Sequence, residues 1–266
     1  MSQACRLLLT GLLCLPMLAW GECSRPLKVP VSPIGLSVTV DGETIGGVYP
    51  DVLRGLGDAC RFEFSSVPRA RLELMFEAGQ ADLLIPATRT PRRDELGLFV
   101  PMVRSRATLI SLLDKDRPAL RSLDELLRRR ELRVVLVRGF DYGEAYLAMA
   151  RELGSQARLV QAVDPLEAAR MLSMGMADLT VMSPSIIAGA IHNDSRYKPL
   201  LAKLRIESVE ELPWGESGAY LSKSLPGADR ALLRDMLEKS TRSGEVWKTF
   251  QRYYPANVLV DGLRPR

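Results

Sequence analysis

The chain of 266 residues has a single histidine, His192, which leaves almost no basis for a histidine-built metal site or a Ser-His-Asp triad. It has no C-x-x-C pair, no phosphate-cradling glycine loop and no nucleic-acid module. The expected cofactor is therefore none, and the expected metal is none. Charge of one sign is also scarce: 36 Lys and Arg stand against 32 Asp and Glu, a net +4, with one dense cluster at Arg128, Arg129 and Arg130. Three arginines in a row suit the solvated face of a helix better than a nucleic-acid footprint, which needs a wider basic stripe. Beyond the N-terminus no long apolar run occurs. At 47% hydrophobic and 26% charged, the composition excludes a multi-span membrane protein and an intrinsically disordered one.

The N-terminus supplies the exception. Met1 to Gly21 has one charge, Arg6, then the apolar stretch Leu7 to Trp20, then small residues at Ala19 and Gly21. This order is that of a secretory signal peptide, and the stretch is short for a permanent span. Cleavage after Gly21 removes Cys5 and Cys14 and leaves Cys23 and Cys60. An even pair in an oxidising compartment predicts one structural disulfide.

What the chain has in quantity is self-similarity. Met75 to Leu83 (MFEAGQADL) returns 96 positions later as Met171 to Leu179 (MLSMGMADL), identical at five of nine positions. Around the first copy, Arg61 to Val67 alternates as a strand, Pro68 suits a first helical turn, and Leu72, Met75, Phe76 and Gly79 carry helical spacing. Ala81 to Ile85 then reads as a buried strand. Around the second copy the same order runs through Ala157 to Val163, the cap Asp164-Pro165, a helix over Ala168, Met171, Leu172 and Gly175, and a strand from Ala177 to Met182. Each copy is preceded by a strand and a helix: Leu27 to Val31 and about Tyr49 to Asp58, then Arg133 to Val137 and about Tyr142 to Leu153. The pattern predicts two α/β lobes with mainly parallel sheets. Ligands of such sheets bind beyond the carboxyl ends of the strands, so the segments Pro86 to Arg93, Arg138 to Tyr142 and Ser183 to Ser185 should meet in a cleft. Methionines 171, 174 and 176 suit core packing, and Trp247, Tyr253 and Tyr254 suit a packed terminal helix.

Four stretches taken in order resemble the extracellular solute-binding proteins of family 3, the periplasmic receptors of polar amino-acid ABC transporters. They are Gly46 to Leu53 (GGVYPDVL), Gly79 to Asp94 (GQADLLIPATRTPRRD), Ser122 to Leu126 (SLDEL) with Val135 to Gly139 (VLVRG), and Ser243 to Tyr253 (SGEVWKTFQRY). The resemblance covers Leu27 to about Tyr254. It implies a type II periplasmic binding fold in which residues 22–105 and 216–266 form the first lobe and 106–215 the second. Hinge strands would lie near Arg104 to Ile110 and Trp214 to Leu221, with residues 1–21 as signal peptide. Ligand binding would be a hinge closure.

The same resemblance assigns Arg93 to a ligand carboxylate, a role its planar fork suits, with Thr88 as a hydroxyl donor and Thr90 close by. Thr90 before Pro91 also has the form of a helix N-cap. Arg69 and Arg71 stand at the start of the repeated helix, where positive charge opposes the helix dipole, so one of them is expected to line an anion-binding cleft. Tyr49 would offer a hydroxyl or a ring face. In the second lobe Phe140, Asp141 and Tyr142 replace the family's small hydroxyl residues after the glycine, and Ser183 stands where the family carries an acid for the ligand ammonium. Asp141 is either a substitute for that acid or an N-cap.

The function expected from this reading is capture of a small polar or carboxylate-bearing solute in the periplasm by a monomeric, non-enzymatic protein. Its partner would be an ABC permease or a membrane sensor. The alternative is a periplasmic enzyme of the cyclohexadienyl dehydratase type, for which Asp141, Glu144 and Glu216 would be the candidate acids or bases.

Overall fold

The computed structural model describes residues 21–113, 117–192, 194–260 and 262–266. The expected signal peptide, except for Gly21, lies outside the described residues. The chain runs through β1 (Leu27–Val31), a hairpin of β2 (Thr39–Asp41) and β3 (Thr44–Gly46), α1 (Val48–Arg54), β4 (Phe62–Ser66), α2 (Arg69–Glu77), β5 (Leu83–Thr88), α3 (Pro91–Asp94) and β6 (Gly97–Ser105). It continues through β7 (Thr108–Leu112), α4 (Leu123–Arg128), β8 (Val134–Val137), α5 (Glu144–Ser155), β9 (Leu159–Ala162), α6 (Pro165–Ser173), β10 (Leu179–Met182), α7 (Pro184–His192) and β11 (Leu204–Glu207). It returns as β12 (Gly215–Ser222), α8 (Gly227–Arg242), α9 (Glu245–Tyr253), α10 (Ala256–Val260) and β13 (Leu263–Pro265).

Two lobes result, each built on its own sheets. The first holds the order β13-β6-β12-β5 beside the parallel pair β1-β4; the second holds β11-β7-β10-β8-β9. Both are mixed rather than mainly parallel. The repeat units supply the parallel pairs β1-β4, β8-β9 and β8-β10, whereas β6, β7, β11 and β12 add antiparallel neighbours. The local reason is that β6 runs into β7, and β11 into β12, with only short connections between the lobes. The chain thus leaves the first lobe along β6 and β7 and returns along β11 and β12, so the outgoing and returning strands run in opposite directions where they pair, β6 with β12 and β7 with β11.

The repeat is visible in the backbone. Gly79 and Gly175 both take φ +68°, and each donates its N–H at 3.1 Å to the carbonyl three residues before it, that of Phe76 and Leu172 respectively. The aspartate that follows closes both units in one way: Asp82 accepts from the Lys28 N–H, and Asp178 from the Arg133 N–H, each at 2.7 Å. α1 stops at Arg54, short of the expected Asp58, where Gly55 and Gly57 (φ +97°) unwind it. α5 starts at Glu144, because Asp141 accepts the Gly143 N–H at 2.8 Å and turns the chain first.

The lobes touch through two reciprocal glycines. Gly35 (φ +60°), in the loop after β1, lies so close to α7 that a Cβ there would sit 2.6 Å from the Ile186 carbonyl oxygen. Gly139 (φ +81°), in the loop after β8, lies against α2, where a Cβ would sit 2.9 Å from the Ala70 nitrogen. Only glycine combines that backbone region with that clearance. Beside the crossing strands the Trp214 ring is covered by the Arg106 and Arg264 guanidinium groups, 4.8 and 4.1 Å from its centroid. Cys23 and Cys60 form a disulfide in the first lobe.

Candidate functional site

The loops after the strands of both lobes meet in one cleft, a cavity of about 50 Å³. From the first lobe it is lined by Ile34, Ser37, Tyr49, Arg69, Pro86 to Thr88 and Arg93, and by Phe250 of α9. The second lobe contributes Phe140 to Tyr142, Ser183, Ser185 and Ile186. The strands near the crossings add Ser105, Ser217 and Leu263. Eight of the ten residues singled out from the sequence are therefore brought together: Tyr49, Arg69, Thr88, Arg93, Phe140, Asp141, Tyr142 and Ser183.

The other two lie elsewhere. Arg71 is exposed, because on α2 it stands two residues from Arg69 and so points away from the cleft. Thr90 is the N-cap of α3: its hydroxyl accepts from the Arg93 N–H, and its own N–H donates to the Tyr220 hydroxyl at 3.0 Å. The candidate bases of the enzyme alternative are not gathered either. Glu144 is exposed and paired with Arg151, and Glu216 faces Arg89 and Arg266, outside the cleft.

Two buried guanidinium groups dominate the site. Arg69 donates through Nη1 to the Pro86 carbonyl at 2.9 Å and through Nη2 to Glu73 at 2.8 Å. Arg93 donates through Nη1 to the Thr88 carbonyl at 2.9 Å, and through Nη2 and Nε to the two oxygens of Glu73 at 2.8 and 3.3 Å. Glu73 was not among the residues singled out from the sequence. One turn beyond Arg69 on an exposed-looking helix, it reads as surface charge until Arg93 arrives from α3. The only available signal was the i, i+4 pairing with Arg69. Burial pushes the Glu73 carboxyl up, but the charges and hydrogen bonds of Arg69 and Arg93 outweigh it and hold the group below the usual carboxylate range. Burial, with the neighbouring Arg93 charge, draws Arg69 down against the pull of Glu73, but a guanidinium remains charged at any working pH.

Around the arginines the lining is hydroxyl-rich. Ser183 lies 3.0 Å from Ser185, oxygen to oxygen, and Ser37 lies 3.2 Å from the Tyr254 hydroxyl. Burial raises the hydroxyl pKa of both Tyr49 and Tyr142, so each is a neutral phenol. Phe140 packs edge-on to Tyr142 at 6.0 Å, and Tyr49 edge-on to Phe250 at 5.6 Å. Asp141 is the one carboxylate in the lining, and its Oδ1 already accepts the Gly143 N–H. Among the described residues no group of three or more His, Cys, Asp or Glu is placed to hold a metal ion.

No family model and no curated protein sequence matches the chain. Solved structures do match in fold. The arginine-, lysine-, histidine-binding protein ArtJ from Geobacillus stearothermophilus is 13% identical with a TM-score of 0.70, over 86% of this chain and 95% of that one. EhuB, solved in complex with hydroxyectoine, is 19% identical with a TM-score of 0.67, over 89% and 91%. A histidine kinase sensor domain with similarity to periplasmic binding proteins is 18% identical with a TM-score of 0.67, over 86% and 96%. The chain therefore has the two-lobed α/β fold of periplasmic binding proteins.

Proposed function

We propose that the protein is a periplasmic solute-binding protein that traps a small polar or carboxylate-bearing solute between its lobes and presents it to a membrane partner. The observation that carries this reading is the cleft itself, where two buried arginines of one lobe face the Phe140–Tyr142 and Ser183–Ser185 loops of the other. Residues 22–105 and 216–266 would move as one body and 106–215 as the other, with the signal peptide removed. Tyr49, Arg69, Thr88, Arg93, Phe140, Asp141, Tyr142 and Ser183 are the proposed ligand contacts. The partner is an ABC permease or a sensor protein; structures similar in fold include the substrate binding protein of an amino acid ABC transporter and a histidine kinase sensor domain. Non-enzymatic binding is the reading favoured here, since the cleft offers one carboxylate and no second acid or base beside it.

A melting screen of the exported protein against amino acids, opines, polyamines, dicarboxylates and prephenate tests this reading. A true ligand stabilises by about 2.7 kcal/mol at a hundredfold excess over Kd, and small-angle scattering should show the lobes closing on it. Turnover of prephenate would sink the binding-only reading.

A further inference from the structure

A guanidinium carries five N–H donors, and the bonding of Arg69 and Arg93 uses only part of that supply. Arg69 makes bonds from Nη1 and Nη2, and Arg93 from Nη1, Nη2 and Nε. The Arg69 Nε is buried with no partner, and the residue is only 5% exposed. Both guanidinium groups line the cleft, whereas Glu73 does not: it holds them from behind and cancels one of their two charges. The donors continue across the cleft. Tyr49 and Tyr142 add neutral O–H groups to the lining. Acceptors are few, since Asp141 is the sole lining carboxylate and one of its oxygens is committed to Gly143. At roughly 10–15 Å³ per water-sized position, a cavity of about 50 Å³ suits a compact solute.

We propose that Arg69 and Arg93, yoked by Glu73, form one anion-binding platform, and that the solute is a compact carboxylate anion without a cationic group, a short dicarboxylate being the best fit. An ammonium group in this cleft would meet two guanidinium groups of its own sign and a single carboxylate, Asp141, already engaged by the Gly143 N–H. An oxyanion meets donors on both sides. Glu73 is a positioning residue: it fixes the separation of the two guanidinium groups and stops their mutual repulsion from driving one out of the cleft. The inference rests on the solute-binding reading above.

The test uses pairs of probes that differ by one ammonium group, succinate with L-aspartate and propionate with L-alanine, titrated calorimetrically into the purified protein. The deaminated member of each pair should bind at least about tenfold more tightly, the size of one charge-assisted contact. R69K and R93K, which keep charge but lose the fork, should each weaken succinate about tenfold. E73Q should couple to R69K in a double-mutant cycle on succinate affinity, and Glu73→Asp should restore part of it. A merely structural Glu73 would lower the melting temperature with no such coupling. Tighter binding of L-aspartate and L-alanine overturns the proposed solute class and leaves the receptor reading standing. Succinate binding without lobe closure in small-angle scattering supports the platform and removes the receptor reading. Silence from all four probes and from inorganic sulfate overturns the platform.

Discussion

The two copies of the repeat share a backbone and differ in what their helices carry, and the difference locates the function. In the second copy, α6 starts from Asp164, whose side chain accepts the Glu167 N–H at 2.8 Å, with Pro165 at the first helical position and an acid in the first turn. Each choice favours a helix N-terminus. In the first copy, α2 starts from Pro68 with no side-chain cap and no acid in its first turn, and its first residue is the buried Arg69. Position 73 holds Glu73 in one copy, and its counterpart 96 residues on is Ala169, 1% exposed in the core. The second copy is built for stability, and the first departs from the same plan wherever α2 meets the cleft.

Putting the second copy's residue into the first breaks the comparison most severely. Glu73→Ala leaves two buried guanidinium groups side by side with no counter-ion, and should destabilise the fold by about 3–5 kcal/mol. Urea unfolding at neutral pH measures it. A loss below about 1 kcal/mol would mean that solvent reaches the arginines and that the cluster is not a buried unit.

The reciprocal glycines come next. G35A and G139A place a Cβ against the opposite lobe at positive φ, and each should add about 1–3 kcal/mol of strain to the closed arrangement. Both should weaken solute binding about tenfold and enlarge the radius of gyration with ligand present. G175A is the control: its φ is also positive, but nothing lies within 4 Å of the added carbon, so it should lower stability and leave closure unchanged. Equal effects on closure from all three would show that the lobe contacts play no part.

How much of this was legible follows the range of the interactions. The strands, the Asp164-Pro165 cap, the glycine stops and the repeat are local patterns, and they stand in the fold where the sequence places them. The Cys23–Cys60 bridge also followed from counting. Most of what was not legible depends on contact between segments distant in sequence. Glu73 is identifiable only when α3 delivers Arg93 to it. Ser105, Ser217 and Leu263 reach the cleft from strands that pair across the molecule, and periodicity carries no trace of that. Of Arg69 and Arg71, two 100° helical steps apart, only the first lines the cleft, and which of the two it would be depends on how α2 packs.

The paired aspartates sharpen the comparison at a smaller scale. Asp82 is 3% exposed and accepts from Arg25 through both oxygens at 2.7 Å, in addition to the Lys28 N–H. Burial pushes its carboxyl up, but the Arg25 and Lys28 contacts outweigh that and hold the group below the usual range. Its stabilising contribution is therefore complete above the unfolded value of about 3.9 and is lost as pH falls through the lower native value. D82N should cost about 1–3 kcal/mol at pH 7, and the gap from wild type should close in acid. Asp178, with Arg133 at 3.9 Å, should lose less on D178N. A D82N deficit that persists unchanged at pH 2 would show that the loss is packing rather than charge.

The smallest effects test the helix starts themselves. D164A removes the side-chain acceptor from the Glu167 N–H and should cost about 1 kcal/mol, with no change in solute affinity, because α6 does not reach the cleft. Pro68→Ser performs the opposite operation in the first copy, offering a cap to a helix that lacks one, from a residue already in extended geometry. It should return about 0.5–1 kcal/mol of stability. If α2 merely tolerates its poor start, that gain comes without a change in solute binding. If the uncapped start is what lets Arg69 settle against Pro86 and Glu73, the gain appears together with weaker binding. The second result is expected, because a new hydroxyl bonded at the start of α2 fixes the turn that sets where Arg69 lies.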